Sequence, residues 1–201
     1  MQIFTALFIL LSLSEGSIPV AKLREIGKTF VQERYGKCLY KDMIPYYDAD
    51  DEIIAYAIVF ETLNKEPVTI IMGTRVDCTP IFEFSKLRLQ IPKKIVKAKK
   101  KACALSGTSV KFNRVYYFGP LSEYLSFSNR TQEILINAYS FEIYEKDSFK
   151  MPAKINREIE EVLKKKWQYY LFHTDYSVRD TGYVDSVPFI DWNYNCTATS
   201  T

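Results

Sequence analysis

The spacing of hydrophobic positions changes along this chain, and each change marks an element. From residue 19 to 35, Val20, Leu23, Gly27, Phe30, Val31 and Arg34 recur every three or four positions, with Ile26 widening the stripe. That is the period of an amphipathic helix with one face in a core, and Pro19 suits its first turn. After Cys38-Leu-Tyr-Lys-Asp-Met-Ile-Pro-Tyr-Tyr47 and a polar turn at Asp48-Ala-Asp-Asp-Glu52, the pattern becomes the β-branched and aromatic run Ile53-Ile-Ala-Tyr-Ala-Ile-Val-Phe60. A turn at Asn64-Lys-Glu-Pro67 leads into Val68-Thr-Ile-Ile-Met72, and Ile81-Phe-Glu-Phe84 follows Pro80. One helix followed by an antiparallel meander is predicted.

The same order then recurs. Ile91, Ile95, Ala98, Ala102 and Leu105 share a helical face, Lys93, Lys94, Lys97, Lys100 and Lys101 lie mostly on the other, and Gly107 stands as a stop. Strand-like stretches follow at residues 111–118, 121–127, 133–139 and 141–144, separated by Gly119-Pro120 and Ser128-Asn-Arg130. Two helix-then-strands units in succession predict an α+β fold built on a degenerate repeat. A third amphipathic helix is expected over Met151 to Trp167, acidic early and lysine-rich late as the helix dipole prefers, with a short strand at Tyr169 to Phe172 after it. Residues 174–186 are polar and read as a linker.

The ends add chemistry. Ile3 to Leu13 is an apolar run too short to span a membrane comfortably, followed by Ser14-Glu-Gly16-Ser, and it reads as a secretory signal removed after Ser14 or Gly16. The expected product is exported and needs no membrane. The expected division is a signal over 1–16, α+β units over 17–88 and 89–148, a connecting helix and strand over 149–173, the linker over 174–186, and a new domain from 187. A net charge of +3 does not argue for a nucleic-acid partner. The lysine run 93–101 reads as a solvated helix face, and Asp48, Asp50, Asp51 and Glu52 as a hairpin turn lacking calcium-loop spacing. No CxxC or Cys/His cluster points to a metal, and no cofactor is implied. Asn129-Arg-Thr131 and Asn195-Cys-Thr197 match the glycosylation tripeptide by chance composition.

Cys196 is the candidate nucleophile. It precedes the small, hydroxyl-rich Thr-Ala-Thr-Ser-Thr201, a sequence suited to opening a helix. Free amide N–H groups at a helix start favour thiolate, the form that attacks carbonyl carbon. The same residue also fits a buried apolar thiol, or half of a bridge to Cys38, Cys78 or Cys103. Asn193 and Asn195 are candidate oxyanion donors, and Arg179 is a candidate processing point in the linker. The only histidine, His173, precedes the cysteine and reads as structural or solvent-exposed in preference to a partner for Cys196.

The stretch Val187-Pro-Phe-Ile-Asp-Trp192 through Asn195-Cys-Thr-Ala-Thr199 resembles the active-site entry of bacterial C39-like and other papain-like cysteine peptidases. The segments Tyr46 to Phe60, Pro67 to Met72 and Pro80 to Phe84, with Arg114-Val-Tyr-Tyr-Phe-Gly-Pro-Leu-Ser-Glu-Tyr124 in the second unit, resemble inhibitory prodomains of the streptopain, PepSY-like or cystatin-like kind. The resemblance implies a secreted thiol-peptidase precursor whose partner is its cognate peptidase domain or a polypeptide substrate, with residues 187–201 the truncated start of the peptidase domain, inactive as it stands because papain-like enzymes place their histidine after the cysteine. The alternative is a non-enzymatic secreted binding module or protease inhibitor.

Overall fold

The computed structural model describes residues 17–130, 132–146 and 160–172. It is α+β. Helix α1 (Val20–Tyr35) leads into β1 (Cys38–Tyr47), β2 (Ile53–Thr62), β3 (Pro67–Gly73) and β4 (Ile81–Ser85); α2 (Ile91–Ser106) leads into β5 (Lys111–Tyr117), β6 (Glu123–Ser128), β7 (Glu133–Asn137) and β8 (Ile143–Glu145); α3 (Glu160–Phe172) follows. The two units do not form separate sheets. Their strands make one eight-stranded sheet in the order β4-β3-β2-β1-β5-β6-β7-β8, antiparallel within each unit and joined by a parallel contact between β1 and β5.

A parallel contact between the first strands of two meanders places their helices on opposite faces. Side chains alternate along a strand, so β2 and β3 sort their residues accordingly. Ile58, Phe60, Ile70 and Met72 pack with Leu23, Ile26, Phe30 and Val31 of α1, whereas Ala55, Ala57 and Ile71 share a core with Ile91, Ala98 and Ala102 of α2. Burial on both faces is the physical reason β2 reads as a continuous apolar run. Gly27 lets α1 sit close to the sheet, since a Cβ there would lie 3.1 Å from Met72 Sδ and 3.2 Å from the Phe60 ring. Val20 and Leu105, both placed by period on buried helix faces, are 41% and 57% exposed at the helix ends.

On the α2 side the sheet curls strongly. Strands β4 and β5 are four positions apart, about 19 Å in a flat sheet, yet the Phe82 and Tyr117 rings stack with centroids 5.4 Å apart. Tyr46 of β1 stacks on the same tyrosine at 5.5 Å. Ala55 and Ala57 on β2 leave room for these rings beneath the curl.

Helix α3 runs to Phe172, so Tyr169 to Phe172 is helical rather than the expected short strand. Trp167 and Leu171 are buried in the α1 core while Tyr169 between them is 39% exposed, a pattern that fits a helical period and not strand alternation. The α2 lysines are mostly exposed as expected, with Lys94 partly buried, and three of them also make contacts. Lys94 and Lys97 lie over the Tyr139 and Phe141 rings at 3.3 and 4.1 Å, and Lys101 donates to Phe141 O at 3.1 Å, so this stripe clamps the β7–β8 turn.

Candidate functional site

Three segments meet at one end of the first unit. The β1–β2 turn is tied by Asp48, whose Oδ1 accepts from the N–H groups of Asp50 at 2.9 Å and Glu52 at 3.0 Å. Asp51 there takes φ 64°, a left-handed conformation that aspartate tolerates better than most residues. The β3–β4 loop is closed by Gly73 N–H donating to Pro80 O at 3.1 Å and Cys78 N–H to Arg75 O at 3.1 Å. Ahead of α1, Ser17 pairs with Arg75 in an antiparallel bridge, and Ile18 N–H donates to Thr74 O at 2.7 Å.

Between them lies an open groove of roughly 510 Å³, lined by Ser17, Ile18, Glu52, Tyr56, Arg75 and Asp77 among others. Arg75 grips Asp77 with two hydrogen bonds of 2.9 and 2.6 Å and reaches Glu52 at 3.1 Å. The hydrogen bonds to Asp77 raise the guanidinium's already high pKa further. Burial works against ionising Asp77, but the Arg75 hydrogen bond and charge outweigh it and hold the carboxyl below its ordinary range. Behind the groove, Trp167 Nε1 donates to Cys78 O at 2.8 Å, so α3 braces the loop from the core side. The result is a rigid rim of loops around an ion-pair triad.

The described thiol on the rim, Cys78, is not activated. Burial, with the Asp77 charge beside it, pushes the Cys78 thiol up to about 12, and burial also raises Cys38. Cys38, Cys78 and Cys103 are all free of disulfides. The sequence candidates Cys196, Asn193, Asn195, Arg179 and His173 lie outside the described residues. Among the described residues no group of three His, Cys, Asp or Glu side chains is placed to hold a metal, and no helix is long and apolar enough to cross a membrane.

Two polar clusters fasten the units together, one on each face of the sheet, and sequence reasoning missed both. On the concave α2 side, Tyr46 donates to Glu123 Oε1 at 2.8 Å and Tyr117 to Glu83 Oε1 at 2.6 Å, while Lys94 Nζ stands 3.6 Å from Glu123 Oε2. Burial and the neighbouring carboxylates drive both tyrosine hydroxyls far above their ordinary range, keeping them protonated donors. On the other face, Asp51 accepts from Tyr116 and pairs with Arg114 at 3.0 Å and Lys146 at 3.5 Å; Lys146 also reaches Glu133 at 3.1 Å. Burial opposes ionisation of Asp51, but Tyr116 and the two cations prevail and lower its pKa. Glu83, a carboxylate inside the apolar Ile-Phe-Glu-Phe, was the available signal; the partners of Glu83 and Glu123 lie 34 and 77 residues away and leave no local trace. Comparison with known protein families, with characterised proteins and with solved structures returns no match.

Proposed function

We propose that the chain is the precursor region of a secreted thiol peptidase. A signal precedes a double α+β module that covers the catalytic cleft, a linker carries a processing point at Arg179, and the catalytic domain starts with Cys196 as nucleophile and Asn193 or Asn195 as oxyanion donor. The observation that carries this reading is the convergence of Ser17–Ile18, the β1–β2 turn and the β3–β4 loop on one braced rim. Fixed loops around a groove suit binding a protein surface, because little loop entropy is lost on association. The high thiol pKa values of Cys38 and Cys78 suit a restraining role, not a catalytic one. A folded cover answers a physical need, since a thiolate beside an open cleft would cut its neighbours before export.

The test begins with the gene beyond the Thr201 codon, where the reading expects an open frame supplying a later histidine and an asparagine or aspartate. The catalytic domain made from that frame should be inhibited by the present chain added in trans. Arg75→Glu should weaken inhibition at least tenfold, because it reverses the charge at the centre of the rim. A stop codon with no such frame favours the second reading, a free-standing secreted binding module or inhibitor of the PepSY-like or cystatin-like kind, to which the same non-catalytic rim would belong. A catalytic domain indifferent to the chain would sink the first reading.

A further inference from the structure

The seam between the two units is closed at one end and open at the other. Among the described residues, strands β1 and β5 pair only through Tyr46 with Val115 and Tyr47 with Tyr116, although β1 extends back to Cys38 and β5 to Lys111. Both strands are bulged below the paired residues, β1 between Tyr40 and Asp42 and β5 between Phe112 and Arg114. A bulge bends its strand, and Pro45, just before the paired residues, brings no N–H to the ladder. β1 is the fourth of eight strands, a position normally buried, yet Leu39 is 62% and Tyr40 38% exposed. Met43 N–H turns to Asp42 Oδ1 of its own strand at 2.8 Å. A local carboxylate there takes the place of a neighbouring strand.

The walls of this notch have a defined chemistry. Ile44 and Phe112 pack with the α2 core, and Leu39, alternating with Tyr40, points to the same side. On the α1 side, the Arg24 guanidinium lies 4.1 Å over the Tyr40 ring and Lys111 is exposed at the lip, while Arg114 is held by Asp51 at the closed end. We infer that the notch is a docking slot for an extended polypeptide strand that alternates apolar and acidic residues. Facing strand edges that do not pair with each other can be bridged by another extended backbone, which replaces water along both. In a strand lying between them, alternate side chains meet Leu39, Ile44 and Phe112, and the intervening ones meet Arg24 and Lys111. The slot lies at the opposite end of the first unit from the Arg75 rim, so it stands or falls independently of the peptidase reading.

The probe is a fluorescein-labelled peptide, acetyl-Val-Glu-Val-Glu-Val-Glu-Val-amide, titrated into the full chain and followed by anisotropy and by amide chemical shifts. Saturable binding is expected, with shifts confined to residues 39–44 and 111–114. A backbone N-methylated peptide and a Val/Lys counterpart should both fail to bind. Lys111→Glu should weaken binding roughly fivefold, the factor of one surface ion pair, and Leu39→Asp should weaken it further, with Trp167 fluorescence confirming that each variant is folded. No saturation up to millimolar peptide, shifts elsewhere, or equal binding of the N-methylated peptide would overturn the inference. Self-association of the chain through residues 39–44 in place of peptide binding would overturn it as well, because a second copy would then be the occupant.

Discussion

Removing one hydroxyl from the concave face tests how the two units are fastened. Tyr46 is fully buried, its acceptor Glu123 is 4% exposed, and the hydrogen bond between them is 2.8 Å long. In Tyr46→Phe the ring keeps its place against Tyr117, 5.5 Å between centroids, so packing is preserved and the hydrogen bond alone is lost. A hydrogen bond to a charged group contributes ~1.5–3 kcal/mol, and the upper part of the range applies when the acceptor stays buried without its donor. Lys94 at 3.6 Å and the Tyr139 hydroxyl still serve Glu123 and limit the loss. The expected cost is about 2 kcal/mol, a fall in Tm of ~4–8 °C for a chain of this size. Urea unfolding followed by fluorescence of buried Trp167 measures it. Glu123→Gln and the double variant complete the cycle, with a coupling of ~1 kcal/mol or more expected between contacting partners. A Tyr46→Phe variant within ~0.5 kcal/mol of the parent, the range of ordinary surface changes, or strictly additive substitutions, would show that this contact does not hold the units together.

Glu83→Gln has a pH signature. Burial raises the Glu83 carboxyl above its ordinary range in spite of the Tyr117 hydrogen bond, so its ionised form opposes folding above the folded pKa and the penalty lifts as pH falls through that value. The glutamine variant should therefore gain stability over the parent at about pH 8 and lose the advantage by about pH 4; a gain that grows toward acid would refute the sign. Gly73→Ala should destabilise by ~2 kcal/mol or more, since the added Cβ would run into the Thr79 carbonyl oxygen, which belongs to backbone and cannot step aside; a neutral result in thermal melts would show that the β3–β4 loop is not rigid. Cys78, with its thiol pKa pushed up to about 12, should resist an aromatic disulfide reagent at pH 8 until urea is added, and Trp167→Phe, which removes the bond to Cys78 O, should speed its labelling.

Much of the fold was legible where one physical demand acts on a segment. Helices α1 and α2 each bury a single face, so their period shows in the residue order, and Gly107 ends α2 with φ 62° as a helix stop should. β2 and β3 were readable because burial on both faces keeps them apolar throughout. β1 was not readable as a strand: its bulge, its proline and the charges at Lys41 and Asp42 interrupt any alternation, and those features belong to the open seam. The last turn of α3 was read as a strand because Tyr169-Tyr-Leu-Phe172 is apolar and aromatic, and only packing against α1 distinguishes its period.

The sequence by itself showed α1, α2, β2 and β3 and their repetition as two units, and offered Cys196 as a candidate, because periodicity and local residue type are properties of neighbours along the chain. Only the tertiary structure decided that the units share one curled sheet with helices on opposite faces. It also decided that Tyr46, Glu83, Tyr117 and Glu123 meet on its inner surface, and that Ser17, Glu52, Arg75 and Asp77 form a single rim. These are contacts between residues far apart in sequence, chosen by the parallel pairing of β1 with β5 and by the room that Ala55 and Ala57 leave for the curl.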